Sequence, residues 1–398
     1  MMLGTPPDGK YSTDINAAKS AGIDAFALNF GGWGNDFSTW EGYMKNMFDD
    51  CTTNGFKAFI SFDMTSVTDP AMIIRLIEQY ISHPAQLYYK NRPVVSSFAN
   101  DDNFGFNWKT DVLDKAKAST GKQVYFLPGT TQTSASQIFG NDYADGVFTW
   151  LHPDANPSTE QGFDKAFCAQ AASSGKAWAV GIAPWFFKHY TQYNWGNHQD
   201  DKIFVDRFMA VMNLPRKPDF IEFITWNDFG ESTYFGQPDS GKYNAAVDPA
   251  GAWATLDHSG FLAMAARMTK MFKQNINPNT ASASQMIDKE DVYIYYRTQP
   301  WNTPGTNDPI GIPNVPPAPA DKVFVVSFLK SDATITVNVG GSPTTIQAKA
   351  GLQQYSVPMK TGSVSMTASR NGQTIASKSP SAQIKSSNPT YNGNVVAV

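Results

Sequence analysis

Asp63, Asp228 and Glu231 are the residues of this 398-residue chain whose type and setting best suit chemistry. The stretch Thr225-Trp226-Asn227-Asp228-Phe229-Gly230-Glu231-Ser232 follows the apolar run Phe220-Ile221-Glu222-Phe223-Ile224. An amide, two carboxylates and a tryptophan therefore fall just past the carboxyl end of a buried strand. Asn227, Asp228 and Gly230 would equally serve to turn the chain there. A second run, Phe59-Ile60-Ser61-Phe62, ends the same way, on Asp63. Cleaving a glycosidic bond takes one protonated carboxyl for the leaving oxygen and one carboxylate to activate water or attack the sugar. Crowded carboxylates raise one another's pKa, which keeps one of them protonated near neutrality.

Two acids from distant strands share one rim only if the strands are parallel members of a barrel, and the chain carries that pattern. Apolar runs alternate with amphipathic segments to about residue 275. Met2 to Gly4 reads as a clipped first strand. Later strands are Ile23 to Phe30, Phe56 to Asp63, Pro93 to Phe98, Gln123 to Leu127, Gly146 to Trp150, Lys176 to Ile182 and Phe220 to Trp226. The helices between them carry apolar stripes such as Ile73, Leu76, Ile77 and Tyr80. Eight strands and eight helices are the inventory of a (β/α)8 TIM barrel over 1–277. From Asn277 helical periodicity gives way to short runs rich in β-branched and aromatic residues. A C-terminal β-sandwich over 278–398 is expected, as a sugar-binding module or a brace for the barrel.

In such a barrel the rim collects residues far apart in sequence. Asn29 lies at the end of the second strand, and Asp101 and Asp102 follow the fourth. Trp150 ends the sixth and His152 follows it, and the aromatic loop with Trp185, His189, Tyr190 and Trp195 follows the seventh. Trp226 and Asn227 accompany the acids of the eighth. Aromatic rings stack on sugar faces, so Trp185, Tyr190 and Trp195 are expected to hold sugar rings away from the cleavage point, with Trp150 nearer to it.

Composition narrows the alternatives. A net charge of −4 and a charged fraction of 17% leave no basic footprint for nucleic acid. No apolar run approaches a membrane span. The five histidines lack metal-ligand spacing, and neither a glycine-rich phosphate loop nor a Gly-x-Ser-x-Gly elbow occurs, so neither metal nor cofactor is expected. His83 and His258 read as structural. Cys51 and Cys168 fall on helices on opposite sides of the ring, too far apart to bond. The start runs almost at once into a helix, as a mature fragment would.

Taken together, Ile23-Asp24-Ala25-Phe26-Ala27-Leu28-Asn29, Phe59-Ile60-Ser61-Phe62-Asp63-Met64, Ala183-Pro184-Trp185-Phe186-Phe187 with His189-Tyr190, and Thr225 to Ser232 resemble the fungal α-1,3-glucanases (mutanases) of glycoside hydrolase family 71. The resemblance implies an extracellular or wall-acting endo-hydrolase of α-1,3-glucan that has a C-terminal β-sandwich and inverts the anomeric centre; a monomer is expected. It maps the essential acids onto Asp63, Asp228 and Glu231. On side-chain reach, Glu231 would be the general acid, with Asp228 or Asp63 holding the water. The first strand is shorter here than in the family. An endo-α-mannosidase, or a glucan-binding protein without activity, would share the same residue types.

Overall fold

The computed structural model describes residues 10–31, 37–100, 104–131, 134–150, 157–196, 203–238, 253–316 and 318–398. The fold is mixed α/β, and its two compact units do not follow the linear order of the chain. One comprises Met1–His152, Ser158–Ile182 and Leu214–Ile224, the other Pro153–Pro157, Ala183–Asn213 and Thr225–Val398.

The first unit is built on parallel strands taken in chain order. Ala25–Phe30, Lys57–Asp63, Arg92–Phe98 and Tyr125–Leu127 pair side by side. After Pro128 the series resumes as Gly129–Thr130, Gly146–Thr149, Ala177–Ile182 and Phe220–Phe223. The strand expected at Met2 to Gly4 lies outside the described residues. Gly129 stands where the two runs meet, and a Cβ there would lie 2.0 Å from the Ser97 carbonyl oxygen, so no larger residue fits.

Polar residues tie the amino ends of these strands together. The Arg92 guanidinium grips both oxygens of Asp145 at 2.7 and 2.6 Å, and Asp145 also accepts the Phe126 N–H at 3.0 Å. Asp219 accepts from Arg216 at 2.7 Å, from the Trp178 N–H at 3.0 Å and from the Tyr89 hydroxyl at 2.9 Å. Bidentate and backbone-anchored carboxylates of this kind fix strand register at one end, while Asp63 emerges at the other.

The helices follow their sequence signals. Asp69 caps Pro70–Tyr80 by accepting the Ala71 N–H at 2.9 Å, with Pro70 at the first position, and Ile73, Leu76, Ile77 and Tyr80 are buried as the stripe predicts. A π-helical turn, Trp108–Leu113, runs into the helix Asp114–Thr120, and Asn107 caps it by accepting from the Lys109 and Thr110 N–H groups. Cys51 and Cys168 are both buried free thiols. No helix among the described residues is long and apolar enough to cross a membrane.

The second unit contains helices Ile203–Met212 and Ser259–Lys273 and two four-stranded antiparallel sheets. Gly351–Pro358, Lys322–Leu329, Asp291–Arg297 and Val395–Ala397 form one sheet, and Ser342–Ala348, Ala333–Val339, Val364–Arg370 and Gln373–Lys378 the other. Val292, Ile294, Val323 and Val325 of the first share an apolar core with Ile335, Val337, Val364 and Met366 of the second. The chain end is locked by His258, which is fully buried and stacked 3.8 Å from the Tyr234 ring. Its Nδ1 lies 2.9 Å from the Tyr234 carbonyl, and its Nε2 3.1 Å from both Asn394 Oδ1 and the Val395 carbonyl. Burial pushes the imidazole pKa down to about 4, against the pull of those acceptors, so His258 is structural, as its sequence setting suggested.

Candidate active site

Within the second unit, Thr225 to Ser232 folds back on itself. The Thr225 N–H donates to Thr233 O at 2.9 Å, the Phe235 N–H to Thr225 O at 3.0 Å, and the Gly236 N–H to Trp226 O at 2.7 Å. Inside this loop the Thr225 hydroxyl accepts the Asp228 N–H at 2.8 Å, and Asp228 Oδ1 accepts the Glu231 N–H at 3.0 Å. The bond from the Glu231 N–H to the Asp228 carboxylate thus closes the turn and holds the two acids close together. Ser232 completes it at φ +59°, a left-handed conformation unusual outside glycine and asparagine, which turns the chain sharply just after Glu231.

A hairpin supplies the opposite wall. Phe187–Tyr190 pairs antiparallel with Tyr193–Gly196, in the stretch read from sequence as an aromatic loop. The Phe187 N–H donates to Glu231 O at 2.9 Å, which pins the hairpin to the acid turn. Strand alternation then sorts the side chains. Phe187 and His189 point into the core, whereas Lys188 and Tyr190 face the acids. Lys188 Nζ lies 2.9 Å from Glu231 Oε1, forming a half-buried ion pair, and 5.0 Å from the centroid of Tyr193. A Cβ on Gly230 would fall 2.8 Å from the Tyr190 hydroxyl, so any larger residue there would push that phenol away from the turn.

Asp228 is pushed up to about 8, first by burial and then by the neighbouring charge of Glu231, with the Glu231 N–H and the Lys188 ammonium pulling the other way. Near neutrality Asp228 therefore keeps its proton, whereas side-chain reach alone had given the proton-donating role to Glu231. One donor and one acceptor of protons side by side are what acid/base hydrolysis requires.

Asp63 is carried by the first unit, at the end of Lys57–Asp63. It is buried, and its Oδ1 accepts from the Thr65 N–H at 3.0 Å and from the Thr65 hydroxyl at 2.6 Å. Asn29, the last residue but one of the neighbouring strand, is half-buried, with no hydrogen-bond partner for its Oδ1 among the described residues. Trp150, half-buried, meets Phe98 edge-on at 4.7 Å, and Phe98 is the register partner of Asp63. Asp101, Asp102 and His152 lie outside the described residues.

Several expected sugar-binding residues prove to be packing residues. Trp185 is 1% exposed and its indole donates to the Gly393 carbonyl at 3.0 Å, so it offers no face to a sugar. His189 is fully buried, its two ring nitrogens each 2.7 Å from an acceptor, Asn194 Oδ1 and Asp308 Oδ2. Asp308, despite a burial penalty, is held below the usual carboxylate range by the Tyr391 N–H, His189 and the Ile310 N–H. Trp226 is buried as well, with Gly236 packed on its indole. Tyr190, Trp195 and Asn227 are half-buried. Two further residues of the aromatic loop join the site: Lys188, a lone cation among aromatics, and Tyr193, which at 65% exposure is the most open ring of the hairpin. Among the described residues no cluster of His, Cys, Asp or Glu is arranged to hold a metal.

The model of glycosyl hydrolase family 71 matches residues 5–398. The chain belongs to that family. Among its curated relatives, a glucan endo-1,3-alpha-glucosidase of Schizosaccharomyces pombe is 30% identical over 92% of this chain and 85% of its own length. A mutanase of Penicillium rubens is 31% identical over 97% of this chain and 83% of its own. An ascus wall endo-1,3-alpha-glucanase of Schizosaccharomyces pombe is 28% identical over 87% and 81%. Of solved structures, the GH99 endo-alpha-mannosidase of Bacteroides thetaiotaomicron superposes with a TM-score of 0.50 at 15% identity, over 66% of this family 71 chain and 84% of that one, a likeness of fold alone.

Proposed function

We propose that this family 71 protein is an endo-acting glucan endo-1,3-α-glucosidase, in which Asp228 and Glu231 carry the acid/base chemistry on α-1,3-glucan. The observation that carries the reading is the acid pair itself: the Asp228 carboxyl, which accepts the Glu231 N–H and is protonated near neutrality, beside the Glu231 carboxyl, which faces Lys188. The names of the 30% and 31% identical relatives support the substrate. Asp63 serves the same reaction as the third acid, on the family resemblance. Water attacks the anomeric carbon from the face opposite the leaving oxygen, one carboxyl taking its proton while another protonates the departing sugar, and the configuration inverts. Asn29, Trp150, Asn227, Tyr190 and Trp195 contact the glucan, with Tyr193 beside them.

The finer architecture goes with this reading: 1–277 closes as a (β/α)8 barrel, and the two antiparallel sheets of 278–398 stack as a sandwich. The protein acts as a monomer, outside the cell or at the wall. Incubation with linear α-1,3-glucan, α-1,4-glucan and α-mannan, followed by assay of new reducing ends, tests the function. Release from α-1,3-glucan alone is expected, and release from α-mannan alone overturns the reading.

A further inference from the structure

The sheet formed by Ser342–Ala348, Ala333–Val339, Val364–Arg370 and Gln373–Lys378 buries one face and leaves the other open. Ala333, Ile335, Val337 and Val339 alternate inward to the apolar core, so Thr334, Thr336 and Asn338 must point outward. The register extends that outward side across all four strands. Thr336 stands between Thr345 and Thr367, and Thr367 next to Ser377; one row away, Thr334 stands between Gln347 and Ser369, and Ser369 next to Thr374. The Thr334 hydroxyl reaches Gln347 Oε1 at 3.4 Å, as same-face neighbours do. All eight positions are exposed or half-exposed, and none is charged.

A solvated β-face ordinarily carries Lys and Glu to oppose association. The charges of these strands are confined to strand ends and engaged elsewhere: Arg370 pairs with Glu290 at 2.7 Å, and Lys378 lies 5.3 Å from the Tyr293 ring centroid. What is left is a lattice of hydroxyls and amides, with neighbours about 4.8 Å apart across strands and about 6.7 Å along them, interrupted by a bulge at Ala368/Ser369. Each group both donates and accepts hydrogen bonds. Threonine side chains are stiff at χ1, so little rotamer freedom is lost on contact. An uncharged donor–acceptor lattice complements a neutral polyol and gives nothing to nucleic acid or anionic lipid, which need cations.

We propose that this face is a docking surface for a neutral polysaccharide, the insoluble form of the glucan hydrolysed at the acid pair. The proposal rests on the hydrolase reading for the identity of the polymer. Each contact is weak, but a long chain engages many at once, so the face favours polymer over short oligosaccharide.

The test compares wild type with the double variant Thr336→Val/Thr367→Val, which keeps shape and β-propensity while deleting two hydroxyls, and with Thr336→Lys/Thr367→Lys. Depletion onto insoluble α-1,3-glucan is measured beside turnover of a soluble α-1,3-linked oligosaccharide. The bound fraction is expected to fall several-fold in both variants, with soluble turnover within about two-fold of wild type. Wild-type-like depletion by the Val and Lys variants overturns the proposal. So does light scattering that shows a wild-type dimer split by the Lys variant, which would give the face to a second copy of the chain. Absence of soluble turnover in wild type sinks the hydrolase reading instead, and depletion still decides the face.

Discussion

Replacing Glu231 by Gln should lower the pKa of Asp228. Of the two causes that raise Asp228 to about 8, burial is the larger and is untouched by the change, whereas the charge of Glu231 disappears. The bond to Asp228 Oδ1 comes from the main-chain N–H of residue 231 and survives. Unit charges about 4 Å apart interact by about 4 kcal/mol at an effective dielectric near 20, and one pKa unit is about 1.4 kcal/mol. Lys188 now screens part of the repulsion, so a fall of about one to two units is expected rather than the full amount. Asp228 stays above 3.8 because burial remains. Carboxyl ¹³C NMR of aspartate-labelled protein reads the midpoint directly in the inactive variant. In the wild type the same proton should set the basic limb of kcat/KM near pH 8. An Asp228 midpoint below about 5 in wild type, or one indifferent to Glu231→Gln, would refute the coupled-pair reasoning. Stability gives a second readout. A carboxyl whose folded pKa is raised binds more protons folded than unfolded between pH 3.8 and about 8, so stability falls as pH climbs through that window. Asp228→Asn should therefore gain in Tm over wild type as pH goes from about 4 to 8.

Asp228→Asn, Glu231→Gln and Asp63→Asn should each cut turnover of α-1,3-glucan by about 10²-fold or more with the fold intact by circular dichroism, and a variant retaining a tenth of the activity removes its residue from the mechanism. Trp185→Ala should cost about 3–5 kcal/mol of stability, since it empties a buried site, whereas Tyr193→Ala should leave Tm nearly unchanged; Tyr193→Ala and Trp195→Ala should each weaken action on polymer more than on short oligosaccharide. His258 binds fewer protons folded than unfolded between pH 6.5 and about 4, so its stabilising effect drains as pH falls through that window; the Tm gap between wild type and His258→Gln should narrow there, and a constant gap contradicts the assignment. Proton NMR of the first product should show a β-anomer that later mutarotates, and an initial α-anomer excludes inversion.

How much could be read without coordinates depended on the range of the forces involved. Strand and helix positions in the parallel series follow from local periodicity and caps, and Asp63 and the Asp228/Glu231 turn stand out because apolar runs end on them. Some local signals were present and passed over: the Ser134/Gln137 capping box that starts Ala135–Gly140, and the Gly340-Gly341 and Asn371-Gly372 turns, at positive φ, that announce the strands Ser342–Ala348 and Gln373–Lys378. Trp185, His189 and Trp226 are of another kind. An aromatic beside a strand end looks the same in sequence whether it faces a sugar or the core, and what buries His189 is Asp308, 119 residues away. Likewise nothing local marks Lys188: the alternation of a hairpin turns it toward Glu231, 43 residues on. The sequence by itself determined which residues could do acid/base chemistry and on which elements they ride, because those depend on patterns a few residues long. Only the tertiary structure decided which ring is core and which cation meets which acid, because burial and Coulomb energy depend on distance in space.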